Sequence, residues 1–422
     1  MGKIGLPLAV QFARKGHQVI GADINEKTVQ LINSKTEPFP GEENLKNFLS
    51  SVIDLGHLTV TTDTTSAVSK SDVVVVVVPL FVDENGTPNF DSMDLATKDI
   101  GNGLKKGTLI SYETTLPVGT TRNRFTKALE THSKLKAGSD FYVCFSPERV
   151  FTGRVFADLR KYPKLVGGIN AESTAKGIEF YKNVLDFDDR PDLNTSNGVW
   201  DLGNSEAAEF AKLAETTYRD VNIALANQFS IFAQKQGIDI YKVIEASNSQ
   251  PYSHIHKPGI AVGGHCIPIY PQMYLWNDPE AELIKVSRDL NSLMPSKVVS
   301  HILELHGSLE KAKVAVLGAA YRGGVKETAF SGVFPLVEAL QAKGALPVVH
   351  DPLYSDLELL NLGLDPYHYG EPVDVVIIQA NHKEYAEIDE TSFPGLKTVY
   401  DGRNITNSEL WKNVNHFVIG KG

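Results

Sequence analysis

Residues 1–9 read MGKIGLPLA, and the spacing of Gly2 and Gly5 matches the last two glycines of the dinucleotide-binding pattern G-x-G-x-x-G. The following apolar run predicts a helix from Leu8 to Lys15 whose N-terminus faces a pyrophosphate. A predicted strand then ends in Asp23, about 20 residues further on, where a carboxylate can bind a ribose hydroxyl pair. An acidic residue there favours NAD over NADP, because it would repel a 2′-phosphate. For the glycine spacing alone, a simple helix-packing role is the alternative.

The strand that should precede this loop is not in the sequence. In a dinucleotide-binding fold the first strand lies inside the sheet, with neighbours on both sides. Without it, two strands keep unpaired backbone groups and the loop has no anchor. We therefore expect the chain to begin too late, with Met1 at an internal position of the loop and about ten residues missing before it.

Composition sets broad limits on function. A chain of 422 residues predicts two or three domains, and its net charge of −10 argues against general binding to nucleic acid or anionic membranes. It does not exclude a phosphorylated ligand held by a local basic cluster. Cys144 and Cys266 are far apart, so a disulfide framework is not indicated and a cytoplasmic location fits. The most apolar run, 73–78, is too short to span a bilayer.

Apolar runs alternate with segments of helical period, which predicts right-handed βαβ units and parallel sheets. The predicted strands are 19–23, 58–61, 72–80, 109–112, 141–145, 313–318, 348–352, 373–378 and 398–401. Between the two blocks, residues 204–237 predict one helix of about 30 residues, capped by Asn204 and stopped by Gly237. We therefore expect two Rossmann-like α/β domains joined by a long central helix and a helical dimerisation domain. The expected boundaries are 1–198, 199–305 and 306–422.

Several segments together resemble one family, the nucleotide-sugar 6-dehydrogenases that act on UDP-glucose, GDP-mannose or UDP-N-acetylmannosamine. The segments are GKIGLPLA, YETTLPVGTT, FSPERV, AEFAKLAETTYRDVNIALAN, PGIAVGGHCIP and YDGRN. The resemblance is strongest to the UDP-N-acetylhexosamine branch. It implies an N-terminal NAD domain, a central helix that forms a homodimer, and a C-terminal domain that binds the UDP-sugar. It also implies a four-electron oxidation of C6 to a carboxylate with two NAD+, in the synthesis of cell-surface polysaccharide precursors.

The resemblance assigns the chemistry to a few side chains. Cys266, in a Gly-Gly-His-Cys run, is the candidate nucleophile that forms a thiohemiacetal and then a thioester; a small buried cysteine is the alternative. Cys144 lies in an apolar strand and is expected to be structural. Lys212 would stabilise oxyanions, Glu148 would act as a base or hold the hydrolytic water, and Thr115 would bind a water or the nicotinamide ribose. A solvated helix lysine is the alternative for Lys212, a carboxylate of a surface turn for Glu148, and a strand-end hydroxyl for Thr115.

Further side chains are expected to contact the two ligands, and no metal site is expected. The cofactor-binding set is Gly2, Ile4, Gly5, Asp23, Pro79, Glu113 and Thr115. The substrate-binding set is Arg149, Arg154, Lys212, Arg219, Asn222, Gly263, Gly264 and Arg322. Arg160 and Lys164 extend the basic cluster that a diphosphate requires, with a solvated loop as the alternative for Arg160. Arg403 lies in the DGRN segment.

The chain also departs from the family pattern. Tyr270 replaces an aspartate that assists proton handling, Thr216 replaces an asparagine, and Tyr252 stands where a substrate-binding arginine is often found. An arginine expected after Arg322 is replaced around residues 329–330. These changes leave three alternatives open: a UDP-glucose dehydrogenase, a two-electron dehydrogenase of the 3-hydroxyacid type, and a non-catalytic nucleotide-sugar binder.

Overall fold

The computed structural model describes residues 1–83 and 85–422, which divide into two units, Met1–Ala214 and Glu215–Gly422. The strands of the first unit are β1 Val19–Ala22, β2 Leu58–Thr61, β3 Val73–Val76, β4 Phe81–Val82, β5 Pro88–Asn89, β6 Leu109–Tyr112, β7 Tyr142–Phe145, β8 Lys164–Gly168 and β9 Val199–Asp201. Its helices are α1 Gly5–Arg14, α2 Glu26–Asn33, α3 Leu45–Asp54, α4 Thr64–Ser69, α5 Asp91–Gly103, α6 Lys127–Ser133, α7 Val155–Lys161 and α8 Ala171–Val184, with a π-helix at Thr121–Thr126. Helix α9, Ser205–Gln236, crosses from the first unit into the second.

The second unit contains the strands β10 Lys313–Leu317, β11 Leu346–His350, β12 Val375–Ile378, β13 Thr398–Asp401 and β14 Asn415–Val418. Its helices after α9 are α10 Ile240–Asn248, α11 Tyr270–Asn277, α12 Glu282–His306, α13 Val333–Gln341 and α14 Asp356–Asn361. Short 3-10 turns lie at Lys383–Ala386, Glu390–Ser392 and Ser408–Leu410. The mixed α/β class predicted from the sequence is therefore confirmed.

The first unit has its strands in separate sheets. β1 pairs in parallel with β2, while β3, β6, β7, β8 and β9 form a second sheet in that order, and β4 and β5 form a small antiparallel pair. Within the described part of the chain no strand precedes α1, and β1 and β3 are not paired with each other, as the sequence predicts. Strand β8 runs antiparallel to β7, which the sequence analysis did not foresee.

Packing explains why the first helix begins at a glycine. A Cβ at Gly5 would lie 2.8 Å from Cγ2 of Val77, so only a glycine lets α1 approach the end of β3 this closely. Leu6 and Val10 then pack with Leu49 in one apolar cluster, while Leu8 joins a second cluster over the larger sheet. The helix therefore holds its N-terminus beside the strand ends.

The two ends of the long helix α9 follow from its capping residues. Asn204 accepts a hydrogen bond from the backbone N–H of Ala207, and Gly237 leaves the helix with φ +65°. The expected boundaries therefore agree with α9 to within a residue at each end.

The second unit has one fully parallel sheet with the order β11-β10-β12-β13-β14. One face packs against α12 and α13 through residues such as Val298 and Leu336, and the other is covered by an aromatic group that includes Trp411. In this topology the strand order reverses at β10, so the crevice beyond the carboxyl ends of β10 and β12 is where ligands bind in such sheets. No helix among the described residues combines the length and hydropathy that a membrane span requires.

Candidate functional site

The start of α1 has the features that a dinucleotide needs. Ile4 occupies the N-cap without a side-chain cap, so the helix N-terminus keeps its electrostatic preference for an anion. Asp23 follows β1 directly, and its carboxylate accepts from the backbone N–H of Asn25 at 2.8 Å and from the Met1 ammonium at 2.6 Å. Together with the close packing at Gly5, this arrangement fits the pyrophosphate and ribose of NAD.

The carboxyl ends of β3 and β6 lie side by side in the same unit. Thr114 donates its hydroxyl hydrogen to the carbonyl of Val78 at 2.6 Å, and the N–H of Glu113 bonds to the carbonyl of Val76. Thr115 is buried and Pro79 is exposed. These two predicted cofactor residues therefore lie on neighbouring loops at the strand ends, where a nucleotide binds in this fold.

Glu209 is a site residue that the sequence analysis missed. It is fully buried on α9, and its two carboxylate oxygens accept the backbone N–H groups of Gly119 at 2.6 Å and Thr121 at 2.8 Å. Burial raises the pKa of Glu209 to about 7. Lys212 lies three residues further along α9 and is also buried. Glu209 therefore fixes the segment after Thr115 to the helix that carries Lys212.

Glu148 is part of a buried ionic cluster. The Lys164 ammonium lies 2.8 Å from Oε2 of Glu113 and 2.9 Å from Oε2 of Glu148. Lys164 is 4% exposed, and with its charge neutralised by two carboxylates it cannot serve as a diphosphate ligand. The expectation that Lys164 belongs to the substrate's basic cluster is therefore wrong. The Glu113 carboxylate makes its contacts inward, which leaves only its backbone for the cofactor.

The arginines that follow Glu148 differ in their surroundings. Arg154 pairs with Asp158 at 3.0 Å, and Arg160 pairs with Asp188 at 2.7 Å. Both guanidinium groups are about half exposed, but Asp158 is buried whereas Asp188 is exposed, so only the Arg160 pair is a surface ion pair of the kind that contributes ~1 kcal/mol or less. Arg149 donates to the carbonyl of Pro163 at 3.4 Å. Arg160 therefore fits its solvated alternative, while Arg149 and Arg154 remain predicted substrate residues.

In the second unit a carboxylate fixes the backbone of the loop after β10. Asp351, at the end of β11, accepts the N–H groups of Ala319 and Ala320 at 2.9 and 3.0 Å. The loop presents Arg322, which is exposed and donates to the hydroxyl of Tyr321 at 3.1 Å. Arg322 thus lies at the switch-point crevice, where the sequence analysis expected a phosphate ligand.

Arg403 contacts this loop through its guanidinium group. Its guanidinium donates to the backbone carbonyl and side-chain oxygen of Gln379 and to the carbonyl of Tyr321. Burial lowers the pKa of Arg403 to about 10, which still leaves it charged at neutral pH. Arg403 therefore joins the loops that follow β10, β12 and β13.

Residues 259–267, which contain Cys266 and are called the cysteine segment below, contact the same loop of the second unit. A Cβ at Gly263 would lie 2.7 Å from the carbonyl oxygen of Phe330, and Gly264 has φ +92° with the Tyr321 ring beside it. The two glycines are therefore required by backbone packing. Cys266 is exposed, and the imidazole of His265 lies 3.2 Å from the carboxylate of Glu327.

A buried polar network, which the sequence analysis also missed, anchors both ends of the cysteine segment. Arg288 on α12 donates to the carbonyl of Ile267 at 3.3 Å and pairs with Asp220 on α9 at 2.8 Å. The Asn291 amide donates to Asp220 and accepts from Asn227, whose oxygen accepts the N–H of Gly259. The only sign of this network in the sequence is the spacing of Asp220 and Asn227, which are seven residues apart and so lie on one face of the helix.

The remaining predicted substrate residues lie on the second half of α9. Arg219 is exposed. The Asn222 amide donates to the carbonyl of His254 at 2.9 Å, and its oxygen accepts the N–H of His256 at 2.9 Å. Asn222 therefore fixes the segment that leads to Gly259, and Tyr252 at its start is 93% exposed.

Four features, taken in sequence order, define a dinucleotide-dependent oxidoreductase. They are a dinucleotide-binding α/β fold, a long helix with a buried lysine, an exposed cysteine and a second sheet of the nucleotide-binding type. Family models match all three regions: the NAD binding domain at 1–185, the central domain at 206–292 and the UDP binding domain at 315–408. The chain belongs to the UDP-glucose/GDP-mannose dehydrogenase family. It is therefore an NAD-dependent oxidoreductase that oxidises a nucleotide sugar at a CH–OH group.

Relatives cover nearly the whole chain. UDP-N-acetyl-D-mannosamine dehydrogenase of Pyrococcus horikoshii is 33% identical over 96% of this chain and 94% of its own length. The protein of that name from Campylobacter jejuni is 32% identical over 92% and 95%. The solved P. horikoshii structure has a TM-score of 0.87 at 31% identity and covers 100% of this chain and 98% of its own. The Staphylococcus aureus UDP-N-acetyl-mannosamine dehydrogenase has a TM-score of 0.84 at 28% identity, over 100% and 97%.

Proposed function

We propose that the substrate is a UDP-N-acetylhexosamine, with UDP-N-acetyl-D-mannosamine first, and that its C6 hydroxyl is oxidised to a carboxylate. The observation that carries this proposal is that the two relatives described above are UDP-N-acetyl-D-mannosamine dehydrogenases that align with more than nine-tenths of the chain. The reaction consumes one alcohol, one water and two NAD+, and yields one carboxylate, two NADH and three protons. Its product is an acidic sugar nucleotide of the kind used to build cell-surface polysaccharide.

The proposed binding residues for NAD are Gly2, Ile4, Gly5, Asp23, Pro79, Glu113 and Thr115. NAD+ supplies the hydride acceptor for both oxidation steps when it is bound. The uncapped start of α1 supports the pyrophosphate position, and the carboxylate of Asp23 would bind ribose hydroxyls. Thr115 would orient the nicotinamide ribose or a water molecule.

The proposed chemistry of the substrate begins with removal of the C6 hydroxyl proton by a base, for which Glu148 is the candidate, while C6 loses a hydride to the nicotinamide acceptor and becomes an aldehyde. The Cys266 thiolate adds to the resulting aldehyde, and the thiohemiacetal is oxidised to a thioester, which water cleaves. The Lys212 ammonium would stabilise the tetrahedral oxyanions. The exposure of Cys266 and the burial of Lys212 support these roles, since a nucleophile needs access and a charge acts more strongly in a low dielectric.

The proposed contacts to the UDP-sugar come from a larger set. It consists of Arg149, Arg154, Lys212, Arg219, Asn222, Gly263, Gly264 and Arg322. Arg322 has the strongest support, because its exposed guanidinium lies at the switch-point crevice of the second sheet. For Asn222 and the two glycines the hydrogen bonds and packing described above already supply a structural reason, so any ligand contact would be additional.

An absorbance screen with several nucleotide sugars tests the proposed substrate. With UDP-N-acetyl-D-mannosamine we expect two NADH per sugar, and slower reaction with UDP-N-acetylglucosamine, UDP-glucose and GDP-mannose. A small difference in how a sugar packs in a pocket is worth about 1–3 kcal/mol, which corresponds to rate ratios of about 10–200. One NADH per sugar would contradict the four-electron route, and faster turnover of UDP-glucose would overturn the choice of sugar.

We also propose that the chain forms a homodimer through α9. Tyr218, Leu225, Phe229 and Phe232 repeat at intervals of seven, four and three residues along one face of the helix, and each is at least 37% exposed. A row of large apolar side chains of this kind is typical of a helix that packs against a partner.

Light scattering tests the dimer. Leu225→Glu combined with Phe232→Glu is expected to convert a dimer into a monomer, because it places charge in the centre of the apolar face. Lys242→Glu, an exposed charge change on α10, is the matched control and should leave the mass unchanged. A wild-type chain with the mass of a monomer would contradict the proposal.

The domain division and location complete the proposal. We assign residues 1–198 to NAD binding, 199–305 to the helical dimerisation and catalytic region, and 306–422 to the UDP-sugar, which the three separate family matches support. The reaction depends on a cysteine thiol, so a reducing compartment such as the cytoplasm suits it.

A further inference from the structure

Two carboxylates and one ammonium are buried together behind the position of Glu148. The side chains of Glu113 and Lys164 are 0% and 5% exposed, whereas that of Glu148 is 11% exposed. Because Lys164 lies within 2.9 Å of both carboxylates, the three groups form one continuous cluster in the first unit. Glu148 is its most exposed member, and Glu113 lies on the far side of the lysine contact.

The charge count of this cluster is uneven. With both carboxylates ionised and the lysine protonated, one negative charge stays in a nearly water-free site, which is costly. One added proton makes the cluster neutral, and a second would leave it positive. The cluster therefore favours holding one proton between its two carboxyl groups.

We propose that Glu113 is a positioning residue that shares a proton with Glu148 beside Lys164 and thereby sets how readily Glu148 accepts a proton during the reaction. This inference rests on the proposed role of Glu148 as the base that activates water for thioester cleavage. In that step the water oxygen bonds to the thioester carbon, the carbon–sulfur bond to Cys266 breaks and the sulfur leaves as a thiolate, and the proton released from the water passes to Glu148. When Glu113 is ionised, this transfer neutralises the cluster; when Glu113 is already protonated, it creates a buried positive charge.

The groups around Glu113 are consistent with one proton being held by its carboxyl group. Tyr181 on α8 donates to Oε1 of Glu113 at 2.6 Å, and its oxygen also lies 2.7 Å from the Ser111 hydroxyl on β6. A further titratable neighbour of Glu113 is Cys144 on β7, which is fully buried and whose pKa is raised to about 12 by burial. Because these neighbours are buried, exchange with solvent takes place on the Glu148 side.

The pKa directions of the two carboxyl groups agree with this assignment. Burial raises the pKa of Glu113 to about 7, although Lys164 opposes it. Burial also acts to raise the pKa of Glu148, but the Lys164 ammonium and the N–H of Arg149 outweigh it and hold that pKa below its ordinary value. Near neutral pH Glu148 is therefore ionised, while Glu113 changes between its two states.

The pH profile of kcat tests the inference. In the wild type we expect kcat to rise through about pH 7 as Glu113 ionises. Glu113→Gln should lower kcat by about 10-fold or more and remove that limb, because the amide mimics the protonated form. Glu113→Asp should restore a limb near neutral pH. Tyr181→Phe should move the limb to higher pH, since it removes a hydrogen bond that favours the carboxylate, whereas Tyr142→Phe on β7 should not move it.

Infrared difference spectroscopy between pH 6 and pH 8 supplies a readout that does not depend on turnover. A protonated carboxyl band should disappear over this range in the wild type and be absent from Glu113→Gln. If the band disappears between pH 6 and pH 8 in the wild type but the protein oxidises no nucleotide sugar, the shared proton is supported and only the proposed function is contradicted. A wild type without the band, or a Glu113→Gln variant whose limb is unchanged, would overturn the inference.

Discussion

Replacing Cys266 with alanine is expected to reduce the rate of NADH formation by about 10³-fold or more and to prevent release of two NADH per sugar. The reason is chemical: without a thiolate no thioester forms, so the aldehyde has no enzyme-bound route to the acid. The measurement is NADH absorbance with the substrate at saturation, combined with analysis of the sugar product. A Cys266→Ala variant that still yields two NADH per sugar at the wild-type rate would exclude the thioester route.

The second cysteine provides the matched control. Cys144 is fully buried between β6 and α8, so Cys144→Ala should lower stability modestly and leave the NADH stoichiometry unchanged. Alkylation of the native protein separates the two thiols directly. Iodoacetamide should modify Cys266, which is exposed, and leave Cys144 unmodified until the chain unfolds.

Much of the fold follows from local sequence signals. The absence of internal proline and glycine, the asparagine cap and the final glycine were sufficient for α9, and runs such as Val375–Ile378 were correctly predicted as buried strands. The direction of β8 could not be predicted, because a short apolar strand carries no signal for the neighbour it chooses. The predicted strand 72–80 ends early, at Val76, and the next residues lead to a separate antiparallel pair.

The site was predictable where a motif carries the chemistry and unpredictable where burial decides the role. Cys266 stands out through its glycines, and the structure shows it exposed. Lys164 looks in sequence like one more cation beside Arg160, but two carboxylates distant in sequence neutralise it. Glu209 looks like a surface residue of a charged helix, although it satisfies two backbone N–H groups. Pairings of this kind depend on tertiary contacts that one sequence does not encode locally.

Arg288→Met is expected to lower the free energy of unfolding by about 3–5 kcal/mol. Arg288 and Asp220 are nearly fully buried, and their 2.8 Å ion pair is one of the links between α12 and α9 in the network that ends at Ile267. Removing the guanidinium leaves the Asp220 carboxylate without a counter-charge, and burial already raises its pKa. Urea unfolding of the two proteins measures the difference.

A double-mutant cycle distinguishes the loss of the pair from a simple loss of packing. In the combined variant Asp220→Asn with Arg288→Met, no charge remains buried, and the asparagine can still accept from Asn291. We therefore expect the double variant to be more stable than the sum of the single changes predicts, by about 1–3 kcal/mol. Lys285→Met on the same helix removes an equivalent charge at an exposed position, so its effect should stay within about 0.5 kcal/mol.

The same variants report on the cysteine segment. Because Arg288 bonds to the carbonyl directly after Cys266, its loss should loosen that segment and change the rate of Cys266 alkylation under native conditions. Lys285→Met should leave that rate unchanged. If Arg288→Met destabilises the chain but alkylation proceeds at the wild-type rate, the network stabilises the helices without positioning the cysteine. If both quantities change together, the packing of α9 against α12 determines where the nucleophile is held.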